Sequence, residues 1–113
     1  MNTGLWGERL AAGYLFLHGY RILDRNWRCG RYEIDIVARE RRSGVLAFVE
    51  VKTRSRTDFG LPRDAVTSKK QLFLTRAAQG YLKAHREPDA HTRFDVVEVY
   101  TWPLRIVHLP GAF

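Results

Sequence analysis

Two apolar segments joined by a short polar one constrain the fold of this chain more than any other feature. The segments are residues 33–38 (EIDIVA) and 45–52 (VLAFVEVK), joined by residues 39–44 (RERRSG). Both apolar segments are rich in β-branched residues, which is typical of strands. The polar connection contains a glycine and predicts a hairpin loop. Folding the hairpin about this loop brings Asp35 roughly opposite Glu50.

The charged residues of the hairpin predict a cation site at one of its ends. Side chains alternate between the faces of a strand, so Glu50 and Lys52 share a face and Val51 points away. Charges converging on a mostly apolar hairpin are costly unless they bind something. Because Mg²⁺ and Mn²⁺ prefer oxygen ligands, Asp35 and Glu50 can hold either ion, with the Val51 carbonyl as a further ligand. Such an ion activates water beside a phosphate, and Lys52 can orient that water or stabilise the transition state.

A helix predicted at the start of the chain contributes a third acid. Residues 3–18 predict a helix that ends at Gly19, a favourable residue after a helix C-terminus. Its predicted apolar face is formed by Leu5, Ala12, Leu15 and Phe16. Glu8 falls inside this apolar stripe, so it can supply a further carboxylate to the cation, directly or through water.

The remaining segments predict a mixed sheet flanked by helices. Strands are expected at residues 20–27, 93–100 and 104–109, and a helix is expected from an N-cap at Ser68 to about His85. A crossover helix places the strand at 93–100 beside, and parallel to, the Glu50 strand, which makes the Glu50 strand central. The predicted fold is therefore α/β, in the order α-β-β-β-α-β-β, with residues 1–113 forming one domain.

Charge and composition favour a nucleic-acid partner. Nineteen Lys and Arg residues against 12 Asp and Glu residues give a net charge of +7, which suits a polyanion. Residues 53–67 predict a basic, mobile loop. The candidate nucleic-acid contacts are Arg54, Arg56, Arg63, Lys69 and Lys70. A single cysteine and the lack of a long apolar run or secretory signal predict a cytoplasmic protein without a membrane partner.

Each part of this site also has an ordinary structural interpretation. An acid beside a lysine at a strand end is commonly an ion pair, and a basic loop is commonly just solvated. Glu8 can be a solvated helix residue, and Asp35 can serve a turn, although its place between Ile34 and Ile36 argues against that. The four histidines are scattered, and none is assigned a chemical role.

These residues resemble a known pattern. Asp35 followed by Glu50-Val51-Lys52 is similar to the (P)D…(D/E)-x-K signature of restriction-endonuclease-like nucleases, and the helix with Glu8 resembles that of archaeal Holliday-junction resolvases. Nearly the whole chain resembles the bacterial family of uncharacterised proteins called UPF0102 or YraN. The matching stretches are GERLA (7–11), RNWR (25–28), EIDIVA (33–38), FVEVKTR (48–54), RFDVV (93–97) and AF (112–113). Tyr32 departs from the family pattern, which usually has glycine there.

The resemblance implies a restriction-endonuclease-like fold, with Glu8, Asp35 and Glu50 as metal-associated acids and Lys52 as the catalytic lysine. We therefore expect an Mg²⁺- or Mn²⁺-dependent nuclease that hydrolyses DNA phosphodiester bonds, with branched DNA as a substrate and a homodimer as its assembly. The alternative is a nucleic-acid-binding accessory protein without turnover, which uses the same basic face. A third hypothesis is a protein-partner module that uses the region of Trp102 and Pro103.

Overall fold

One five-stranded mixed sheet lies between two helices in this computed structural model, which describes residues 3–54, 66–101 and 103–113. The elements are α1 (Thr3–Leu17), β1 (Tyr20–Cys29), β2 (Tyr32–Glu40), β3 (Leu46–Arg54), α2 (Ser68–Ala84), β4 (Thr92–Thr101) and β5 (Leu104–Leu109). The α/β class and the predicted order α-β-β-β-α-β-β are confirmed. Neither described helix is long and apolar enough to cross a membrane.

The sheet has the strand order β1-β2-β3-β4-β5. Only β3 and β4 are parallel, because α2 carries the chain back across the sheet between them, and the other three pairs are antiparallel. The predictions that β3 is central and that it runs parallel to the following strand are confirmed. Since β3 is covered on both faces, its first four residues are fully buried or nearly so.

The helix α1 packs on one face of the sheet through small residues. Ala11, Ala12 and Leu15 are buried against alternate residues of the central strands. The predicted apolar face was wrong at Leu5 and Phe16, which are 40% and 57% exposed. Small side chains let the helix approach the sheet closely, so the buried stripe follows Ala11 and Ala12 rather than the larger residues.

A glycine pair in α1 gives a test of this close packing. A methyl group at Gly7 would collide with Oγ1 of Thr53 on β3, whereas one at Gly13 meets no atom within 4 Å. We expect Gly7→Ala to lower the free energy of unfolding by about 1–3 kcal/mol. Gly13→Ala should raise it by about 0.5–1 kcal/mol because alanine favours the helix. Denaturant unfolding of both variants measures the difference, and equal changes would contradict the close approach of α1 to β3.

The helix α2 covers the opposite face with Leu74, Ala77, Ala78 and Tyr81. Its predicted N-cap was wrong by one residue. Thr67, in an extended conformation, is the cap, and its side chain accepts a hydrogen bond from the backbone N of Lys70 at 3.1 Å. The Gln71 side chain donates to the Val66 carbonyl instead of closing a capping box on Ser68.

The basic loop was predicted over residues 53–67, and this prediction was wrong at both ends. Thr53 and Arg54 continue β3, and Thr67 caps α2. Residues 55–65, which include Arg56 and Arg63, lie outside the described residues, as does Trp102.

Candidate metal and nucleic-acid site

Asp35 lies where β2 and β3 stop pairing. The ladder between these strands runs from Arg39 and Leu46 to Ile36 and Val49, although both strands extend further. One position beyond the last pair, Oδ2 of Asp35 accepts a hydrogen bond of 2.8 Å from the backbone N of Val51. The Asp35 carboxylate thus occupies the place of a backbone acceptor at the open end of the ladder, which keeps it against β3.

Glu50 and Lys52 reach the same end of the sheet from β3. The Glu50 side chain is 13% exposed, and its Oε1 lies 3.7 Å from Nζ of Lys70 in the first turn of α2. Lys70 and Lys52 both act electrostatically on Asp35 and Glu50. Two lysines from different elements therefore face the two predicted cation ligands.

Glu8 approaches from α1 and is 7% exposed. Its Oε1 is buried and has no hydrogen-bond partner among the described residues. The guanidinium of Arg25 lies 3.8 Å from that oxygen. The prediction that Glu8 points inward, toward the sheet, is confirmed.

The Asp35 charge destabilises the ionised forms of both Glu8 and Glu50. Burial raises the pKa of Glu8, and the Asp35 charge raises it further. Burial likewise raises the pKa of Asp35 despite the opposing effects of the Val51 N–H and Lys70. Burial and then the Asp35 charge raise the pKa of Glu50, against the opposing charges of Lys70 and Lys52. A bound cation would relieve this repulsion, which is the usual electrostatic reason for collecting buried acids.

The donor set fits a hydrated divalent cation better than a fully protein-caged one. No group of three or more His, Cys, Asp or Glu side chains among the described residues is close enough together to hold a metal ion. Mg²⁺ keeps several waters and commonly takes only one or two carboxylates from the protein. Asp35 and Glu50 meet that requirement, and the unbonded, buried Oε1 of Glu8 is a further acceptor.

The predicted nucleic-acid contacts fall in different places. Arg54 is 7% exposed, and its Nε lies 2.6 Å from Glu98, which is a structural ion pair and not a surface open to a phosphate. Lys70 lies beside Glu50, as part of the acidic site. Lys69 is exposed, with its Nζ 5.8 Å from the centre of the Phe73 ring.

Arg31 contacts two aromatic rings, those of Tyr32 and Phe73, and was not among the predicted nucleic-acid contacts. The guanidinium of Arg31 lies 5.6 Å from the centre of the Tyr32 ring and 5.9 Å from that of Phe73. Tyr32 and Phe73 contact each other, with ring centres 5.3 Å apart. In the sequence, the contact of Lys69 with Phe73 could have been predicted from their spacing, because residues four apart on a helix are neighbours. Arg31, Tyr32, Lys69 and Phe73 are called the cation–aromatic patch below.

The family model and the curated relatives that match this chain agree on one family. The family model described as uncharacterised protein family UPF0102 matches residues 7–99. A UPF0102 protein of Syntrophotalea carbinolica is 47% identical over 115 residues, covering 100% of this chain and 92% of the relative. Another, from Chlorobaculum parvum, is 47% identical over 118 residues, covering 97% and 90%. A third, from Geobacter metallireducens, is 46% identical over 114 residues, covering 99% and 92%.

Among solved structures, Pyrococcus furiosus SfsA in complex with Ca²⁺ matches with 14% sequence identity and a TM-score of 0.29. The match covers 91% of this chain and 60% of that chain. A likeness at this level supports no conclusion about function.

Proposed function

The chain belongs to the uncharacterised protein family UPF0102, and from that premise we propose that it is a metal-dependent nuclease that hydrolyses DNA phosphodiester bonds. The observation that carries the proposal is the position of Asp35 beside Glu50: the Asp35 carboxylate accepts a hydrogen bond from the backbone N of Val51, the residue after Glu50, and burial raises the pKa of both acids. Such an arrangement costs stability unless the site binds a cation. The resemblance to the restriction-endonuclease-like signature supports the same interpretation.

In this proposal Asp35 and Glu50 hold Mg²⁺ or Mn²⁺. The bound ion supplies activation of water and neutralisation of phosphate charge. Lys52 lies beside the two acids and stabilises the negative charge that develops on the phosphate oxygens. In the reaction a water oxygen bonds to phosphorus, and the bond from phosphorus to the leaving sugar oxygen breaks. The leaving oxygen takes up one proton, and the attacking water loses one to solvent.

The cation–aromatic patch supports DNA as the partner. Arg31 and Lys69 are exposed cations seated over aromatic rings, which restricts their motion and leaves their N–H groups available to phosphates. Lys69 precedes Lys70, which contacts Glu50, so the patch adjoins the acidic site. A substrate held at the patch would therefore have phosphates within reach of the acids. This role replaces the one predicted for Arg54.

Removing either patch cation should weaken DNA binding and its dependence on salt. For a contact with one phosphate, Arg31→Gln and Lys69→Gln should each reduce the slope of log K against log salt by about 0.9 on duplex DNA. Arg42→Gln is the matched control, because Arg42 is exposed in the turn at the other end of β2. Fluorescence anisotropy with labelled duplex in EDTA measures the slopes. If all three variants kept the wild-type slope, the patch would not contact phosphates.

A nucleic-acid-binding protein without turnover is the second candidate function. Two observations favour it: Lys70 is 3.7 Å from Glu50 and already offsets its charge, and no three acids in the described ranges converge closely enough to cage a metal. In this case Asp35 and Glu50 stabilise the approach of α2 to β3. The same cationic surface binds DNA, and no cleavage follows.

A cleavage assay separates the two functions. Purified protein is incubated with single-stranded, duplex, flapped and four-way-junction DNA in Mg²⁺, Mn²⁺ or EDTA. The nuclease proposal expects products in Mg²⁺ or Mn²⁺ and none in EDTA, and the preferred DNA identifies the substrate structure. DNA that is shifted in gels but uncut in every metal would favour binding without turnover.

A further inference from the structure

Lys70 is held beside the acidic site by the start of α2. Its backbone N donates a hydrogen bond of 3.1 Å to the side chain of Thr67, which fixes the first turn of the helix. From this turn the lysine reaches Glu50, and its Nζ lies 3.7 Å from Oε1. The side chain of Lys70 is 44% exposed, whereas that of Glu50 is 13% exposed. The ammonium group is therefore the solvent-accessible member of this ion pair.

The contact between Lys70 and Glu50 is a loose ion pair. A distance of 3.7 Å is longer than a direct hydrogen bond, which joins heavy atoms about 2.7–3.2 Å apart. The ion pair of Arg54 with Glu98, which also involves β3, measures 2.6 Å. A partly exposed pair without a direct hydrogen bond contributes little to stability. Exchanging one of its members for another ion therefore costs little.

The contact between Arg25 and Glu8 has the same form. The Nη2 atom of Arg25 lies 3.8 Å from Oε1 of Glu8, and the two side chains are 35% and 10% exposed. In both contacts a nearly buried carboxylate faces a more exposed cation at a distance too long for a direct hydrogen bond. The two carboxylates thus keep acceptor capacity for another cation.

The charge of Lys70 is in an unusual place on its helix. The first turn of α2 contains Lys69 and Lys70 and no acidic residue, although the N-terminus of a helix favours negative charge. A lysine there gains stability from an anion placed beside it, and in the metal-free protein that anion is Glu50. A DNA phosphate can take the same place. It would already be close, because Lys69 belongs to the cation–aromatic patch.

We propose that Lys70 is a phosphate-binding residue whose availability depends on the cation: it is the counter-ion of Glu50 in the metal-free protein, and a bound divalent cation releases its ammonium group to a DNA phosphate. The inference rests on the proposed function, because it assumes that the acids bind a cation and that the partner is DNA. The cation replaces the ammonium group beside the carboxylate, and the phosphate replaces the carboxylate beside the ammonium group. Metal binding and DNA binding then strengthen each other by the same factor.

The variant Lys70→Gln tests whether the lysine competes with the cation. Without the ammonium group Mn²⁺ displaces no positive charge, so its affinity in isothermal titration calorimetry should rise about 3–10-fold. Lys83→Gln is the matched control, because Lys83 is an exposed lysine about 20 Å further along α2, and it should leave the affinity unchanged. Unchanged or weaker Mn²⁺ binding by Lys70→Gln would overturn the proposal. A purely structural lysine would lower thermal stability in EDTA without raising this affinity.

The neighbouring lysines test whether the released ammonium group reaches DNA. In EDTA, Lys69→Gln should weaken duplex binding and Lys70→Gln should not, because Glu50 holds the Lys70 ammonium group. In Ca²⁺, which also binds carboxylate oxygens, each variant should lose about fivefold in affinity at about 0.15 M salt, as expected for one phosphate contact. Fluorescence anisotropy with a labelled duplex, shown by gel to stay intact, measures these affinities. An equal loss by Lys70→Gln in EDTA and in Ca²⁺ would contradict the exchange.

Failure of this proposal can be told apart from failure of the nuclease proposal. Wild-type protein that binds Mn²⁺, together with the predicted gain in Lys70→Gln, refutes only the nuclease if no DNA is cut. Wild-type protein that binds Mn²⁺ and cuts DNA, with no gain in Lys70→Gln, refutes only the role of Lys70. Wild-type protein that binds no Mn²⁺ refutes both proposals.

Discussion

Asp35→Asn is expected to abolish metal-dependent DNA cleavage while leaving the metal-free protein at least as stable as the wild type. The amide removes the negative charge that would hold the cation but keeps an oxygen that can accept the hydrogen bond from Val51. A loss of about 4 kcal/mol of transition-state stabilisation corresponds to a rate reduction of roughly 1000-fold. Initial cleavage rates in Mg²⁺ and thermal unfolding in EDTA measure the two effects on one preparation.

The stability effect of Asp35→Asn should depend on pH with a defined sign. Because the pKa of Asp35 is raised in the folded state, the folded protein binds more protons than the unfolded chain just above the ordinary carboxyl pKa. Ionised Asp35 therefore destabilises the metal-free protein as the pH rises through its folded pKa. The advantage of Asp35→Asn over the wild type should be absent well below pH 4 and should appear above it.

Asp89→Asn is the matched control, because Asp89 is an exposed acid between α2 and β4. It should change neither the cleavage rate nor the metal-free stability beyond about 0.5 kcal/mol. Asp35→Asn protein that cleaves DNA at the wild-type rate would remove Asp35 from the site. A large loss of stability in EDTA would instead show that Asp35 is needed for folding.

Asp95→Ala is expected to have the largest effect on folding, because it breaks a buried network on the α1 face of β4. Asp95 is fully buried, and its carboxylate accepts hydrogen bonds from Arg93, His108 and the backbone N of Gly111 at 2.8–3.0 Å. Arg93 also donates to the hydroxyl of Tyr20 at 2.6 Å. The network therefore joins β1, β4, β5 and the segment after β5.

Removing one member of a buried charged network leaves its partners unpaired, which costs about 3–5 kcal/mol. We expect this loss in the free energy of unfolding of Asp95→Ala, measured by denaturant unfolding at pH 7. Asp89→Ala serves as the control and should stay within about 0.5 kcal/mol of the wild type. A similarly small change in Asp95→Ala would mean that the network contributes little to the fold.

The pH dependence of the Asp95 contribution has the opposite sign to that of Asp35. Burial alone would raise the pKa of Asp95, but the hydrogen bonds from His108, Arg93 and Gly111 outweigh it and lower the pKa to about 2. A lowered folded pKa stabilises the protein above the unfolded value and loses that effect as the pH falls. Wild-type stability should therefore decrease between about pH 4 and pH 2, and Asp95→Ala should lack this part of the decrease.

The hairpin and the acidic group could be predicted from local sequence because both depend on alternation along strands. The run 45–52 identified a buried strand, and the register of the hairpin placed Asp35 near Glu50. The position of Glu8 followed from helical periodicity. These features depend on short segments whose geometry is nearly independent of the rest of the fold.

The partners supplied by distant elements could not be predicted in the same way. Arg54 looked like a surface cation, but its approach to Glu98 depends on the parallel pairing of β3 with β4. Lys70 meets Glu50 only because the crossover helix begins at the open end of the ladder.

The most direct test of the central claim is isothermal titration calorimetry, in which Mn²⁺ is titrated into metal-free wild-type protein and into the Glu50→Gln variant. Glu50 is chosen because its side chain is largely buried and its carboxylate forms an ion pair with Lys70. We predict one Mn²⁺ site in the wild type and a loss of that site in Glu50→Gln, with both proteins folded by circular dichroism. Absence of binding by the wild type, or equal affinity in both proteins, would contradict a cation site at this end of the sheet.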